Sequence, residues 1–282
     1  MTKWTVSEIM NQMEARYPKH LQEDWDKNGL IVGDPDQEVS KILLAVDPVD
    51  ATVRQAIEGN YDMMITHHPL FLRDANFVSR LDYKGRIVHD LIKNDVALLN
   101  AHTNADSATR GVAWALAKAC GIDGEPFDVI DEDAAGNPRG LGRIGKLANP
   151  VTLDEFADVV AAALPAGPHG IFVGTPVGED LSMQVETVAL SGGSGDSFLD
   201  RARELGADVY VTADLRHHPA SEHLERGKPA LISGSHWATE WLWLPHLEED
   251  LSAAAEQAGV DLEIDISRTV TEPWVDHRST LG

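Results

Sequence analysis

The chain says one thing twice: Ile42 falls on Val188, an offset of 146 positions, and the match runs without a gap from Ile42–His68 to Val188–Asp214. In each copy an apolar run (Ile42-Leu43-Leu44; Val188-Ala189-Leu190) leads through an amphipathic stretch to a second one (Met63-Met64-Ile65-Thr66; Val209-Tyr210-Val211-Thr212). Short apolar runs flanking a helical period read as strand, helix and strand, a crossover whose handedness builds a parallel sheet. Polar groups follow at once, His67-His68-Pro69 in one copy and Ala213-Asp214 in the other. A third apolar run then precedes a His-x-x-x-acid pair: Ala97-Leu98-Leu99 before His102 and Asp106, Ala230-Leu231-Ile232 before His236 and Glu240. Identities are few (Leu44/Leu190, Asp62/Asp208, Thr66/Thr212), so pattern carries the comparison. The fold expected is α/β, two similar α/β lobes related by internal duplication. Histidines and carboxylates would sit at the carboxyl ends of parallel strands, and a composite metal site in the cleft between the lobes.

The remaining elements fill in around this frame. Thr5-x-x-Glu8 and Thr152-x-x-Glu155 have the form of capping boxes, opening helices at Val6 and Leu153. Leu30–Val32, Lys41–Val46, Asp62–Thr66 and Val96–Asn100 read as strands; Val49–Glu58, Gly85–Lys93 and Ser107–Cys120 read as helices. Residues 121–150, rich in Gly, Pro and Asp with one candidate strand at Gly142–Leu147, read as a linker. The lobes are therefore placed at 1–124 and 125–282, with the C-terminal segment free to return to the first. The apolar run around Trp241, Trp243, Leu244 and Leu247 has an aromatic density that suits either core or a subunit contact, and the contact is the expectation here.

Composition excludes several function classes. The 282 residues carry a formal net charge of -23, a far field that repels polyanions, so nucleic acid is not expected as a partner. Two divalent cations inside that envelope would still make a small positive site, leaving a small anionic substrate allowed. The lone Cys120 permits no internal disulfide and sits in an Ala-rich helical pattern as a buried thiol. There is no signal-peptide pattern and no apolar stretch of membrane-spanning length, so the expectation is a cytoplasmic protein without a membrane partner.

The candidate ligands have competing readings. Adjacent side chains on an extended chain point to opposite faces, so His67 and His68 suit two neighbouring ions better than one; the alternative is a structural His-His-Pro turn. Positions i and i+4 share a helix face, so each His-x-x-x-acid pair can present two donors together. Asp106 could equally N-cap the next helix, and Glu240 could sit on a solvated face. Its neighbours Trp237, Trp241 and Trp243 are poor company for a free carboxylate, and a buried charge needs a partner.

Taken in order, Trp25-Asp26-x-x-Gly29-Leu30, Thr66-His67-His68-Pro69-Leu70, Ala101-His102-Thr103-Asn104-x-Asp106, Ser191-Gly192-Gly193-Ser194-Gly195 and Gly234-x-His236-x-x-x-Glu240 resemble the motifs of the Nif-three-like dinuclear-metal family, labelled GTP cyclohydrolase 1 type 2 homologues. The resemblance covers most of the chain and implies a two-metal centre and a hexameric ring of identical subunits. It assigns His67, His68, Asp106, His236 and Glu240 as metal ligands, Glu240 bridging both ions. It implies that His102 neighbours the site without ligating, that Asp26 shapes its rim, and that Asp214 with His217 or His218 lies in the cleft. Lys27 and Asn28 depart from the Asn-Val seen more often in that motif.

Donors drawn from His and carboxylate suit zinc, manganese, iron, cobalt or nickel. The chemistry expected is metal-assisted hydrolysis of a small phosphorylated or nucleotide-like compound, with His102, His217 or His218 as the catalytic acid or base. The alternative is a non-catalytic metal-binding, metal-storage or scaffold protein. The Ser191–Gly195 run is only a weak phosphate-loop candidate because it lacks the Gly-Lys-Ser/Thr ending. A Rossmann-type dinucleotide enzyme is disfavoured because no Gly-x-Gly-x-x-Gly follows the first strand.

Overall fold

The structure, a computed structural model, describes residues 2–280. Along the chain run α1 (Val6–Arg16), β1 (Gly29–Val32), β2 (Lys41–Ala45), α2 (Asp50–Glu58), β3 (Met63–Thr66), α3 (Tyr83–Lys93), β4 (Ala97–Asn100) and α4 (Thr103–Ser107). Next come α5 (Val112–Ala119), β5 (Asp123–Glu125), β6 (Arg143–Thr152), α6 (Leu153–Ala163), β7 (Phe172–Gly174) and β8 (Gln184–Ser194). They are followed by α7 (Leu199–Glu204), β9 (Val209–Ala213), α8 (His217–Glu225), β10 (Ala230–Gly234), α9 (His236–Trp241), α10 (Trp243–Ala258) and β11 (Glu263–Ile266). These elements form two compact units. One runs through Ala105 and adds Leu244–Thr271; the other comprises Asp106–Trp243 and the segment from Glu272.

The first unit is a five-stranded sheet in the order β11-β2-β3-β4-β1. The four strands β11, β2, β3 and β4 are parallel, and β1 closes the edge antiparallel to β4. Strands β2, β3 and β4 are apolar on both faces, as parallel strands covered by helices must be. Leu43, Met64 and Leu98 pack beneath α2 and α3 with Val53, Ala56, Ile87 and Leu91. The strand β11, which no apolar run announced, pairs Ile264 with Ile42 and brings the end of the chain onto β2. At the start, Thr5 and Glu8 close the expected capping box, the Glu8 carboxylate accepting from the Thr5 amide at 2.7 Å and the Thr5 hydroxyl from the Glu8 amide at 3.3 Å.

The second unit is a six-stranded mixed sheet, β7-β10-β9-β8-β6-β5. Its parallel centre matches the repeat: Ile42 pairs with Met63 in the first unit, and at the same offset Val188 pairs with Val209 in the second. The core on one face joins Phe156 and Val160 of α6 to Val188, Leu190, Val209, Val211 and Ile232.

Three expectations change. The stretch read as a linker contains β6, a ten-residue strand paired antiparallel to β8 from Arg143↔Leu190 to Thr152↔Gln184, with β5 on its other side. Its residues are mostly half-buried or exposed, so the sequence marks only its first part, the candidate strand at Gly142–Leu147. The helix expected over Ser107–Cys120 is shorter, α5 at Val112–Ala119 with Gly111 at its N-cap, and Ser107 instead ends α4. Finally, Trp243, Leu244 and Leu247 are fully buried within this single chain, so they are core residues and not the subunit contact expected of them.

Candidate metal-binding site

In the first unit, the backbone carries the ladder one step beyond β3: the His67 amide donates to Ala45 O at 3.2 Å and the His68 amide to Val46 O at 2.9 Å. The Thr66 hydroxyl then donates to His68 O at 2.8 Å, and Pro69 ends the run. The neighbouring strand stops at the same level, where the Ala101 amide donates to Thr66 O at 3.0 Å. His67, His68 and His102 therefore meet at the carboxyl edge of β3 and β4, the edge at which open parallel sheets bind ligands. Their ring centroids lie 5.0 Å (His67–His68), 5.2 Å (His67–His102) and 5.6 Å (His68–His102) apart. Each offers one ring nitrogen, and the three nitrogens lie within 4.8 Å of one another.

What each histidine does with its other nitrogen decides its chemistry. His67 Nδ1 faces Ala101 O at 3.0 Å, His68 Nδ1 faces Asp47 Oδ1 at 2.7 Å, and His102 Nδ1 faces Asp26 Oδ1 at 3.0 Å. A carbonyl or carboxylate oxygen only accepts, so in all three rings Nδ1 carries a hydrogen and Nε2 is the nitrogen a neutral ring would offer to a ligand. That is the arrangement protein metal sites use to fix a histidine's tautomer and orientation. His102 thus lies in one cluster with His67 and His68.

Asp26 is the anchor of the His102 side. It is 1% exposed and accepts from the Thr103 hydroxyl (2.6 Å), the Thr103 amide (3.0 Å), the Lys27 amide (2.8 Å) and Asn28 Nδ2 (3.0 Å), besides His102. Burial alone would push its carboxyl up. The hydrogen bonds and charge from His102, with those from Thr103, outweigh burial and hold it well below the usual carboxylate range.

In the second unit, β10 ends at Gly234 and Ser235 caps α9, its hydroxyl accepting from the Ala238 amide at 3.1 Å. One helical turn separates His236 from Glu240, and His236 Nε2 lies 2.9 Å from Glu240 Oε1. His236 Nδ1 donates to Asp214 Oδ2 at 2.7 Å, repeating the anchoring seen in the first unit. Asp214 occupies the place of His68 in the repeat and holds a left-handed backbone, φ 53°. Glu240 is 3% exposed, which removes the solvated-face reading. Burial works against a charge on His236, but Glu240 and Asp214 overcome it and drive the imidazole up to about 11. Two carboxylates flanking one imidazole make this a place that favours positive charge.

The glycine-rich run explains itself here. All but Gly195 of it lies in β8, and a Cβ at Gly193, where φ is +62°, would stand 2.4 Å from Glu240 Oε1 and 3.1 Å from His236 Nε2. Glycine is required because the backbone approaches the pair so closely. The Gly193 amide is taken by the Thr239 hydroxyl at 3.0 Å and the Gly195 amide by Ala213 O at 3.3 Å, so the run is the wall of this pair and not a phosphate cradle.

Asp106 is half-buried within α4, and since Gly111 holds the N-cap of α5 the capping alternative for Asp106 falls. His217 and His218 begin α8, exposed, with ring centroids 5.2 Å apart. His218 also lines an open cavity of about 300 Å³ with Asp196, Asp200 and Glu222. Sequence reasoning missed Asp47, an isolated acid 21 residues before the histidine it anchors. No helix among the described residues is long and apolar enough to cross a membrane.

Residues 4–273 match the protein family described as Duf34/NIF3 (NGG1p interacting factor 3). A Streptomyces coelicolor protein named GTP cyclohydrolase 1 type 2 homolog is 46% identical over 96% of this chain and 94% of its own length. A Clostridium perfringens protein of the same name is 31% identical over 95% and 98%. Among solved structures, a Bacillus cereus protein related to NIF3 shares the fold with a TM-score of 0.88 at 23% identity, covering 98% of this chain and 99% of that one. Reduced HcgD from Methanocaldococcus jannaschii superposes with a TM-score of 0.74 at 28% identity, over 95% and 99%.

Proposed function

From the fact that this chain belongs to the Duf34/NIF3 family, we propose that it is a dinuclear-metal protein in which His67, His68, Asp106, His236 and Glu240 ligate two divalent cations. The observation that carries this reading is common to the three proposed histidine ligands: His67, His68 and His236 each have Nδ1 held by an oxygen acceptor, so Nε2 is the atom each would offer to a metal. The donor set of imidazole and carboxylate fits zinc, manganese, iron, cobalt or nickel.

The activity we propose is hydrolysis of a small phosphorylated or nucleotide-like substrate, GTP among the candidates because relatives bear that name. Bound divalent cations would supply Lewis acidity and a lowered pKa for coordinated water. The protein's own part is to hold donors still and to move protons. His102, with Nδ1–H committed to Asp26, can exchange a proton only at Nε2, and the exposed His217 and His218 are further acid-base candidates. A net charge of -23 makes local cations the natural attraction for an anionic substrate. Assembly into a homohexameric ring and a cytoplasmic location belong to the same proposal.

The test is elemental analysis of protein purified without added metal, followed by turnover assays on GTP and a phosphoester panel. Wild type should carry close to two equivalents of a divalent transition metal, His68→Ala and Glu240→Gln should carry markedly less, and Glu240→Gln should lose turnover. Absence of any bound metal in wild type after supplementation would overturn the reading. Stoichiometric metal without turnover would favour the non-catalytic alternative.

A further inference from the structure

We propose that Thr271 and Asp47 are positioning residues for His68, a hydroxyl–carboxylate–imidazole relay that holds the His68 ring in its ligating tautomer. The proposal rests on the reading of His68 as a metal ligand and adds two residues that no motif contains. Asp47 lies just beyond β2, in the Val46-Asp47-Pro48 turn. Its Oδ1 accepts from His68 Nδ1 at 2.7 Å, and its Oδ2 accepts from the Thr271 hydroxyl. Both oxygens are thereby engaged, which fixes the plane of the carboxylate and with it the direction of the bond to the imidazole.

The chain is built to bring Thr271 there. After β11 the Ser267 amide donates to Leu44 O at 2.8 Å, extending the ladder by one residue. The Ser267 hydroxyl then donates to Gln55 Oε1 of α2 at 2.7 Å, and the Thr269 amide to the Ser267 hydroxyl at 3.3 Å. This strap is anchored on β2 and α2 before it reaches Asp47, so Thr271 arrives on a short tether. A turn-stabilising role for Asp47 would not call for a second donor brought from 224 residues away.

The charge arrangement points the same way. The ion-pair partner of Asp47 among the described residues is His68, and the two side chains are 23% and 21% exposed. A cation bound at Nε2 draws electron density from the ring and acidifies Nδ1–H; a carboxylate opposite stabilises that polarisation more than a neutral carbonyl does. His67 Nδ1 faces a backbone carbonyl, Ala101 O, at 3.0 Å. Thr271 is what keeps the Asp47 carboxylate aligned with the His68 ring.

The experiment compares wild type with Thr271→Val, Thr271→Ser and Asp47→Asn. Two readouts are used: Co²⁺ binding to metal-free protein followed by visible absorption, and the His68 tautomer in metal-free protein from long-range ¹H–¹⁵N spectra. Thr271→Val should weaken Co²⁺ binding about tenfold, the size of effect that loss of an outer hydrogen-bond partner has at metal sites. It should also add Nε2–H character to His68. Thr271→Ser, which keeps the hydroxyl, should restore both readouts, and Asp47→Asn should lose more than Thr271→Val. If Thr271→Val does not fold by circular dichroism, Thr271→Ala carries the same comparison. Unchanged affinity and an unchanged tautomer in the hydroxyl-less variant overturn the relay. If wild type takes up no Co²⁺, the metal reading fails on its own account, and the tautomer alone decides whether the relay exists.

Discussion

Replacing Gly193 by alanine tests the close approach that shapes the second donor pair. Two costs follow from the geometry. The backbone at φ +62° is a left-handed conformation, which an L side chain occupies at a cost of about 1–2 kcal/mol. The new Cβ would also stand 2.4 Å from Glu240 Oε1, whereas real Cβ contacts do not fall below 3.0 Å, so the carboxylate must retreat by at least 0.6 Å. Metal–ligand distances tolerate about 0.2 Å. The displacement is three times that, so Glu240 cannot keep its place relative to His236. For a chain of this size the backbone term lowers the melting temperature by about 2–8 °C, read in EDTA so that metal does not contribute. Calorimetric titration with Zn²⁺ or Co²⁺ should show affinity reduced by tenfold or more. Wild-type affinity together with a wild-type melting temperature in Gly193→Ala would refute the reasoning, because neither the strain nor the crowding would then be real.

Three further outcomes follow from buried polar groups. Arg143 is 2% exposed and donates to the carbonyls of Gly140, Gly142 and Ala108, so Arg143→Met should strand three acceptors and cost about 3 kcal/mol or more in urea unfolding. Asp26→Asn puts an amide among donors that expect an anion, and should cost about 2–4 kcal/mol and loosen His102, seen as broadening of its ring resonances. His223 is held neutral by burial and by Arg203, with Nδ1 accepting from Arg203 and Nε2–H donating to Pro229 O, and its pKa lies below the ordinary histidine value. The unfolded chain therefore takes the proton first as pH falls below about 6.5, and stability drops by up to about 1.4 kcal/mol per pH unit until the folded-state pKa is passed. The stability advantage of wild type over His223→Gln should shrink between pH 7.5 and pH 5, and a constant difference would contradict this.

Much of the frame could be read from residue order because it rests on local periodicity. The strand-helix-strand pattern, both capping boxes and the His236/Glu240 pair on one helical turn all depend on contacts within a few positions. The histidines at the ends of β3 and β10 were visible for the same reason, since a polar group directly after a buried strand marks its carboxyl edge. What was not visible is what holds those histidines. The carboxylates that anchor His68, His102 and His236 lie 21, 76 and 22 residues away in sequence. Asp47 had no spacing to betray it; Asp214 was marked by the repeat and Asp26 by the family resemblance, both without their partners. Only the first part of β6 was read, as the candidate strand at Gly142–Leu147, because the exposed residues that follow remove the apolar signal. Around Trp243, composition had only two accounts to offer, and the fully buried side chain decides for core.

The pairing of β11 with β2 has a consequence for synthesis. On the ribosome, β2, β3 and β4 can assemble once Asn100 has emerged, but β11 is still about 170 residues from completion, roughly 8–30 s at ordinary elongation rates. Throughout that interval the outer edge of β2, an apolar parallel strand, is left with open hydrogen-bonding groups, the feature that invites pairing with other nascent chains. A ribosome-bound fragment ending before Glu263 should therefore be aggregation-prone, and the arrival of β11 is what brings that exposure to a close.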